Sequence, residues 1–237
     1  MNPVSVPIDE RLASAHNRSQ LFWLIAEGLL SGLTTESWSA VKNGASGKAC
    51  GGDDLLESAW SNLFDVMENA GTESDSRLAV EHTRLFCGLA EGAGPPPPFE
   101  SVWRNSQEPG DIALSVTQAY AEAGFADIDL DAGPQDHLAV EFKFMALLAL
   151  REAEARNEGI TVAAEVRVRQ QRDFLDHHLL QWVPRWIDRV AQETQEPVYW
   201  AFVGLISTGL ASIAEDLGNW KEADRIISRS SQKEINS

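Results

Sequence analysis

Residues 133–148, GPQDHLAVEFKFMALL, hold a turn, a helix start and the longest apolar face in the middle of the chain. Gly133 and Pro134 end whatever precedes them, and Asp136 stands where an N-cap is expected, its carboxylate placed to accept from the free amides of Leu138 and Ala139. His137 opens the helix. Leu138, Phe142, Met145 and Leu148 follow at spacings of 4, 3 and 3, with Phe144 and Leu147 widening the stripe, so that one broad face is expected to be buried. Glu141 and Lys143 mark the opposite, polar side.

The same helical period recurs on both sides of this stretch. Toward the N-terminus, a first helix begins near Ile8 to Leu12, buries Leu21, Leu24, Ile25 and Leu29, and stops at Gly32. Asp53 caps a second helix carrying Leu56, Trp60, Leu63, Phe64 and Met67, and a third covers about residues 74–87. A weaker helical piece at 34–41 and a Gly-rich loop at 43–52 separate the first two. Four successive prolines, 95–98, force an extended polyproline II strut that presents Phe99 and Trp103. A helix over 111–123 leads to the acidic connector FADIDLDAG at 125–133.

Toward the C-terminus, Thr161 caps a helix running to about His178, and a segment with Trp182, Trp186 and Val190 on one face is broken or kinked near Leu180 by Pro184. Pro197 opens a last apolar helix that stops at Gly218. No strand-length alternation stands out, so the expected class is all-α: a single helical-bundle-like domain of roughly ten helices over residues 1–219, its two halves joined near 124–133. A polar tail follows at 220–237, with only Ile226 and Ile227 to bury and the composition of a partly disordered segment.

Composition narrows the function classes. Nineteen Lys plus Arg stand against 36 Asp plus Glu in 237 residues, a formal charge of −17 that repels nucleic acid and draws in basic peptides or basic protein faces. Cys50 and Cys87 are too few for a disulfide framework, and no basic region followed by an apolar run opens the chain, so a cytoplasmic protein without a signal peptide is expected. The uncharged run 197–214 reads as a buried core helix rather than a membrane span. GASGKA at 44–49 lacks the first Gly and the final Ser or Thr of a phosphate loop, and DIDLDAG at 127–133 lacks the Gly and Glu of a calcium loop. The five histidines form no metal-binding pair on one helix face. Cys87 and His82, five apart on a helix, face different ways, and Cys87 reads as a buried inert thiol.

Four motifs in order, EHTRLFCG at 81–88, PPFESVW at 97–103, GPQDHLAVEFKFM at 133–145 and FLDHHLLQWVPRW at 174–186, together resemble the TorD/DmsD family of cytoplasmic chaperones for molybdoenzymes. The resemblance implies a helical chaperone, not an enzyme, with no cofactor or metal of its own. Such a chaperone binds the twin-arginine leader and the folding apo form of a molybdopterin-containing oxidoreductase, assists cofactor insertion and delays export. The family's Pro-x-Asp-His motif falls on Pro134, Asp136 and His137, and its Pro-aromatic pair on Pro98 and Phe99. Phe99 stands where Trp or Tyr is common, and His82 replaces the aromatic that usually precedes the Leu-Phe pair.

A leader of this kind offers two guanidiniums and then an apolar segment, so its receptor needs carboxylates beside an apolar groove. Asp136 and Glu141 are candidates for the first, Phe99, Trp103, Trp182 and Trp186 for the second, and His137 for an orienting partner. Should Asp136 spend its carboxylate on the cap, Glu141 or Glu100 is left to meet the arginines. Two readings from other classes stand beside this one: a small helical enzyme using Asp136 and His137 as an acid/base pair, and an acidic adaptor without leader specificity. The connector at 124–133 is compatible with a monomer or with a domain-swapped dimer.

Overall fold

The computed structural model describes residues 8–34, 54–71, 74–88, 94–104, 109–126, 128–129, 131 and 133–235, of which 8–9, 109 and 219–235 are described by their backbone. The helical piece expected after Thr34, the Gly-rich loop with Cys50 and GASGKA, the Asp53 cap, and Asp127, Leu130 and Ala132 of the connector lie outside the described residues.

Among the described residues there are nine α-helices and no strand. They are α1 (Ile8–Ser31), α2 (Asp54–Ala70), α3 (Asp75–Phe86), the single turn α4 (Glu100–Trp103), α5 (Pro109–Glu122), α6 (Leu138–Asn157), α7 (Thr161–Phe174), α8 (Leu180–Glu193) and α9 (Pro197–Ile235). The class is all-α as expected, with slightly fewer helices than ten. A π-helical turn, Leu175–Leu179, joins α7 to α8 without a loop.

The helix that opens the sequence reading, α6, is the axis of the fold. It packs against α1 on one side and α7 on another. Phe22 of α1 stacks on Phe142 at 5.5 Å, while Tyr120, Phe144 and Phe174 form a second aromatic group. Here the expectation of a polar outer side fails: Glu141 is fully buried and Lys143 is 9% exposed. Lys143 reaches that depth because its ammonium meets Asp129 at 2.7 Å and Glu27 at 2.9 Å and lies over the Trp23 ring. Periodicity finds an apolar face, but cannot show that polar side chains on the other face have partners waiting on neighbouring helices.

Farther along α6, Glu152 is enclosed by a complete set of donors. Arg18 of α1 reaches it at 2.6 Å, Arg156 at 2.7 Å and Gln171 of α7 at 2.8 Å. Arg18 also pairs with Asp216 of α9. The network ties four helices through charges that are each matched, the condition under which buried ions are tolerated.

Two boundaries differ from expectation and a third agrees with it. Thr161 begins α7, but the N-cap is Ile160, without a side-chain cap bond. The interruption near Leu180 is found where Pro184 places it: Pro184, inside α8, cannot donate to the carbonyl of Leu180, and the chain takes the wider π turn immediately before that residue. Gly218 does not stop α9, since an isolated glycine costs about 1 kcal/mol in a helix and needs no break. Within α9, Pro197–Gly218 is long and apolar enough to cross a membrane, and 56% of its most apolar stretch is buried inside the fold.

Candidate functional site

The proline strut is seated on the end of α3. A Cβ at Gly94 would lie 2.0 Å from the Arg84 carbonyl oxygen, and one at Gly88 would lie 2.8 Å from Pro97. Glycine at these two positions lets backbone and ring approach in a way that no other residue allows. The strut thus has a fixed origin, and its prolines fix its direction.

Its far end is clamped to the start of α6 by an isolated antiparallel bridge between Phe99 and His137. The Leu138 amide donates to Pro98 at 2.8 Å, and the Glu100 amide donates to the Asp136 carbonyl at 2.9 Å. The Phe99 ring meets His137 edge to face at 5.1 Å. Trp103 donates its indole N–H to the Pro97 carbonyl at 3.0 Å, folding the single turn α4 back on the strut.

This pairing overturns the capping expectation. Asp136 does not cap α6: its Oδ2 accepts from the Ser101 amide at 3.1 Å, in the first turn of α4. His137 is the N-cap of α6, its Nδ1 accepting from Ala139 at 3.1 Å. The cause is the bridge, which consumes the Leu138 amide and carries the free amides of α4 over the Asp136 carboxylate. Since Nδ1 accepts, the ring proton sits on Nε2. Burial pushes His137 down to about 4, against the opposing pull of Asp136, so the ring is neutral near pH 7.

Beneath the bridge lies a buried acidic group that the sequence reading only touched. Glu100 is fully buried, its Oε1 held by Arg104 at 2.6 Å and its Oε2 2.9 Å from Nδ1 of His178. Arg104 also donates to the His177 carbonyl, and His178 stacks on Phe174 at 4.6 Å. The π turn is therefore tied to the foot of the strut. No N–H donor bonds to either oxygen of Glu141 among the described residues, and its carboxyl lies within hydrogen-bonding reach of the Glu100 carboxylate. Burial, followed by the neighbouring Glu100 and Asp136, pushes its pKa well up, which favours the protonated carboxyl. The Trp182 indole lies near enough to oppose that shift without donating to either oxygen.

The nine expected leader-binding residues divide accordingly. Pro134 is exposed, Phe99 and Trp103 are half-buried, and Pro98 is buried behind them. Asp136 and His137, 2% and 8% exposed, frame the junction from inside. Glu141, Trp182 and Trp186 are fully buried, so Trp182 and Trp186 are core residues and Glu141 is withdrawn from solvent. Trp186 packs on Phe86 at 6.0 Å. His82 fills the position of an aromatic residue, 5.3 Å from Phe86, with its Nε2 on the Leu29 carbonyl at 2.9 Å.

Two further corrections concern Cys87. It is exposed rather than buried, and its Sγ lies 4.0 Å from Nδ1 of His82 because the residue leaves the helix at the C-cap and turns back. Partial burial still pushes the thiol pKa up, which disfavours a nucleophilic thiolate. Missed by the sequence reading were Glu100 as the hinge of the acidic group and His178 as its partner. The adjacent His177 and His178 in a helix interrupted by proline were the available signal.

Comparison with known proteins places this architecture. Residues 52–188, more than half of the chain, match the family model described as nitrate reductase delta subunit. The chaperone protein TorD of Vibrio parahaemolyticus is 22% identical over 190 residues, covering 78% of this chain and 87% of that protein. The Tat proofreading chaperone DmsD of Salmonella typhi is 32% identical over 142 residues, 59% of this chain and 62% of its own length, so less than two thirds of that relative is spanned. A selenate reductase assembly chaperone protein of Thauera selenatis is 44% identical over 55 residues, 23% of this chain and 28% of that protein. The extent of the family match and the names of these relatives together show that the chain belongs to the nitrate reductase delta subunit family, among chaperones of the TorD/DmsD type.

Proposed function

We propose that the protein is a cytoplasmic, system-specific chaperone that binds the twin-arginine leader and the folding apo form of a molybdopterin-containing oxidoreductase, assists cofactor insertion and delays export. The names of its relatives supply the client class. The observation that carries the reading is the ledge formed by the strut and α4. Phe99 and Trp103 stay half-exposed, Val102 is 43% exposed and Pro96 is exposed, all on backbone pinned at both ends. A preformed apolar ledge receives an extended, oily peptide without the entropic cost of ordering itself. The charge of −17 steers a basic leader toward it.

The mechanism is reversible occupancy without covalent chemistry. Asp136 and His137 are each committed to a backbone amide, which argues against their use as an acid/base pair. Isothermal titration with a synthetic twin-arginine leader and a Lys-Lys control tests the reading: the arginine peptide is expected to bind more tightly, and Phe99→Ala to weaken it about tenfold. Equal affinities for the two peptides would sink it, and binding abolished by salt regardless of sequence would point to the acidic adaptor.

A further inference from the structure

The segment 174–186 serves the ledge in a way that its tryptophans do not. Trp182 and Trp186 belong to the core, but the π turn and the start of α8 pack beside α4 and present backbone carbonyls to side-chain donors. The π turn widens the helical ladder here, and Pro184 removes one of its donors. The Asp176 carbonyl accepts from Gln181 at 2.7 Å, that of His177 from Arg104 at 3.1 Å, and that of Gln181 from Arg185 at 3.3 Å. Arg185 crosses to the ledge as well: the same Nη2 donates to the Trp103 carbonyl at 2.8 Å.

A single helical turn cannot hold itself in place, since it is far below the length at which a helix sustains itself and its last carbonyls lack helical partners. The position of α4 is therefore set by what grips it from outside. At its start, Asp136 takes the Ser101 amide, and Glu100 is held by Arg104 and lies against His178. At its end, both grips fall on Trp103. The indole N–H is fixed on the Pro97 carbonyl, and the backbone carbonyl is held by Arg185. Arg185 is exposed and has no ion-pair partner among the described residues, so no carboxylate competes with these carbonyls for its guanidinium. A charged donor also makes the stronger hydrogen bond.

We propose that Arg185 is a positioning residue for leader binding: by holding the Trp103 carbonyl it sets the angle at which α4 offers the Trp103 ring to the apolar segment of the leader, without touching the peptide itself. The proposal rests on the leader-binding reading and deepens it. The bridge at Phe99 anchors one end of the ledge to the start of α6, and Arg185 anchors the other to α8. The two aromatic rings of the ledge are thus each held against a different core helix.

The test is a double-mutant cycle on the full chain, in which wild type, Arg185→Ala, Trp103→Ala and the double variant are titrated by calorimetry with the twin-arginine leader. Arg185→Lys, which keeps a charged donor, is the conservative control. Hydrogen exchange without peptide reads the turn itself, through the amides at 102–104 that bond back to Phe99 and Glu100. Arg185→Ala is expected to weaken leader binding about fivefold and to speed exchange at those amides, and Arg185→Lys to recover most of both. Once Trp103 is gone, Arg185→Ala is expected to change affinity by less than about twofold. An equal loss with and without Trp103 overturns the proposal, because Arg185 then meets the peptide directly, and so does an unchanged or tighter affinity of Arg185→Ala. Unchanged exchange at 102–104 overturns it whatever the peptide does, and that comparison decides where Trp103→Ala binds too weakly to titrate. No preference in the wild type for the twin-arginine over the Lys-Lys peptide overturns the leader reading and this proposal with it.

Discussion

The two ends of α6 bury acid in opposite ways. Near its C-terminal end Glu152 is met by two arginines and a glutamine from three helices, and each oxygen has a donor within 2.8 Å. In its first turn Glu141 sits among Glu100 and Asp136, with no donor on either oxygen. The first arrangement is what a fold needs in order to keep a charge inside. The second keeps its carboxyl only by holding the proton, and it lies directly under the ledge proposed to receive the leader. Matched charge marks the scaffold; the unmatched acid is a group that the packing alone does not stabilise.

The sharpest way to break this contrast is Glu152→Ala. It leaves Arg18 and Arg156 buried without their shared carboxylate, and a loss of about 3–5 kcal/mol in urea unfolding is expected. Leader affinity, measured where the variant remains folded, is expected to stay at the wild-type level.

His137 comes next. Its pKa falls from 6.5 to about 4 on folding, so between those values the unfolded chain binds the extra proton. Stability from this group is therefore present above pH 6.5 and lost as pH falls toward 4, with a slope of at most about 1.4 kcal/mol per pH unit. Urea midpoints from pH 7.5 to 4.5 check it. His137→Asn, which retains a side chain able to cap α6, is expected to flatten the profile.

Glu141 gives the opposite sign. A carboxyl raised on folding contributes most below its unfolded value of 4.5 and loses that contribution as pH rises through the folded value. Glu141→Gln is therefore expected to be more stable than the wild type at pH 7.5, the gain shrinking toward pH 5. An equal difference at both pH values would contradict a protonated Glu141.

The smallest effect is expected from Asp136→Ala. Loss of the Ser101 cap costs about 1 kcal/mol, with circular dichroism almost unchanged, and Asp136→Asn restores much of it. Because the cap belongs to α4, amides at 101–103 are expected to exchange faster while those of α6 do not. Faster exchange confined to α6 would restore the cap assignment expected from the sequence.

Those assignments show what could be read in advance. Apolar spacing located α6 and its neighbours, because burial of a face leaves a periodic trace in the residues themselves. It could not reveal that Glu141 and Lys143 are also buried, since their partners lie on other elements. Pro134, Asp136 and His137 marked the junction correctly, yet the division of capping between Asp136 and His137 depends on a bridge formed by residues nearly forty positions away. Trp182 and Trp186 looked like groove walls because an aromatic stripe at helical spacing has the same appearance whether it faces a ligand or the core.

Hydrogen exchange with and without the twin-arginine leader tests the central claim most directly. Slowed exchange is expected at residues 99–104 and 135–138, around the ledge and its bridge, and not with the Lys-Lys peptide. Unchanged exchange across both segments, or the same protection with either peptide, would contradict the account.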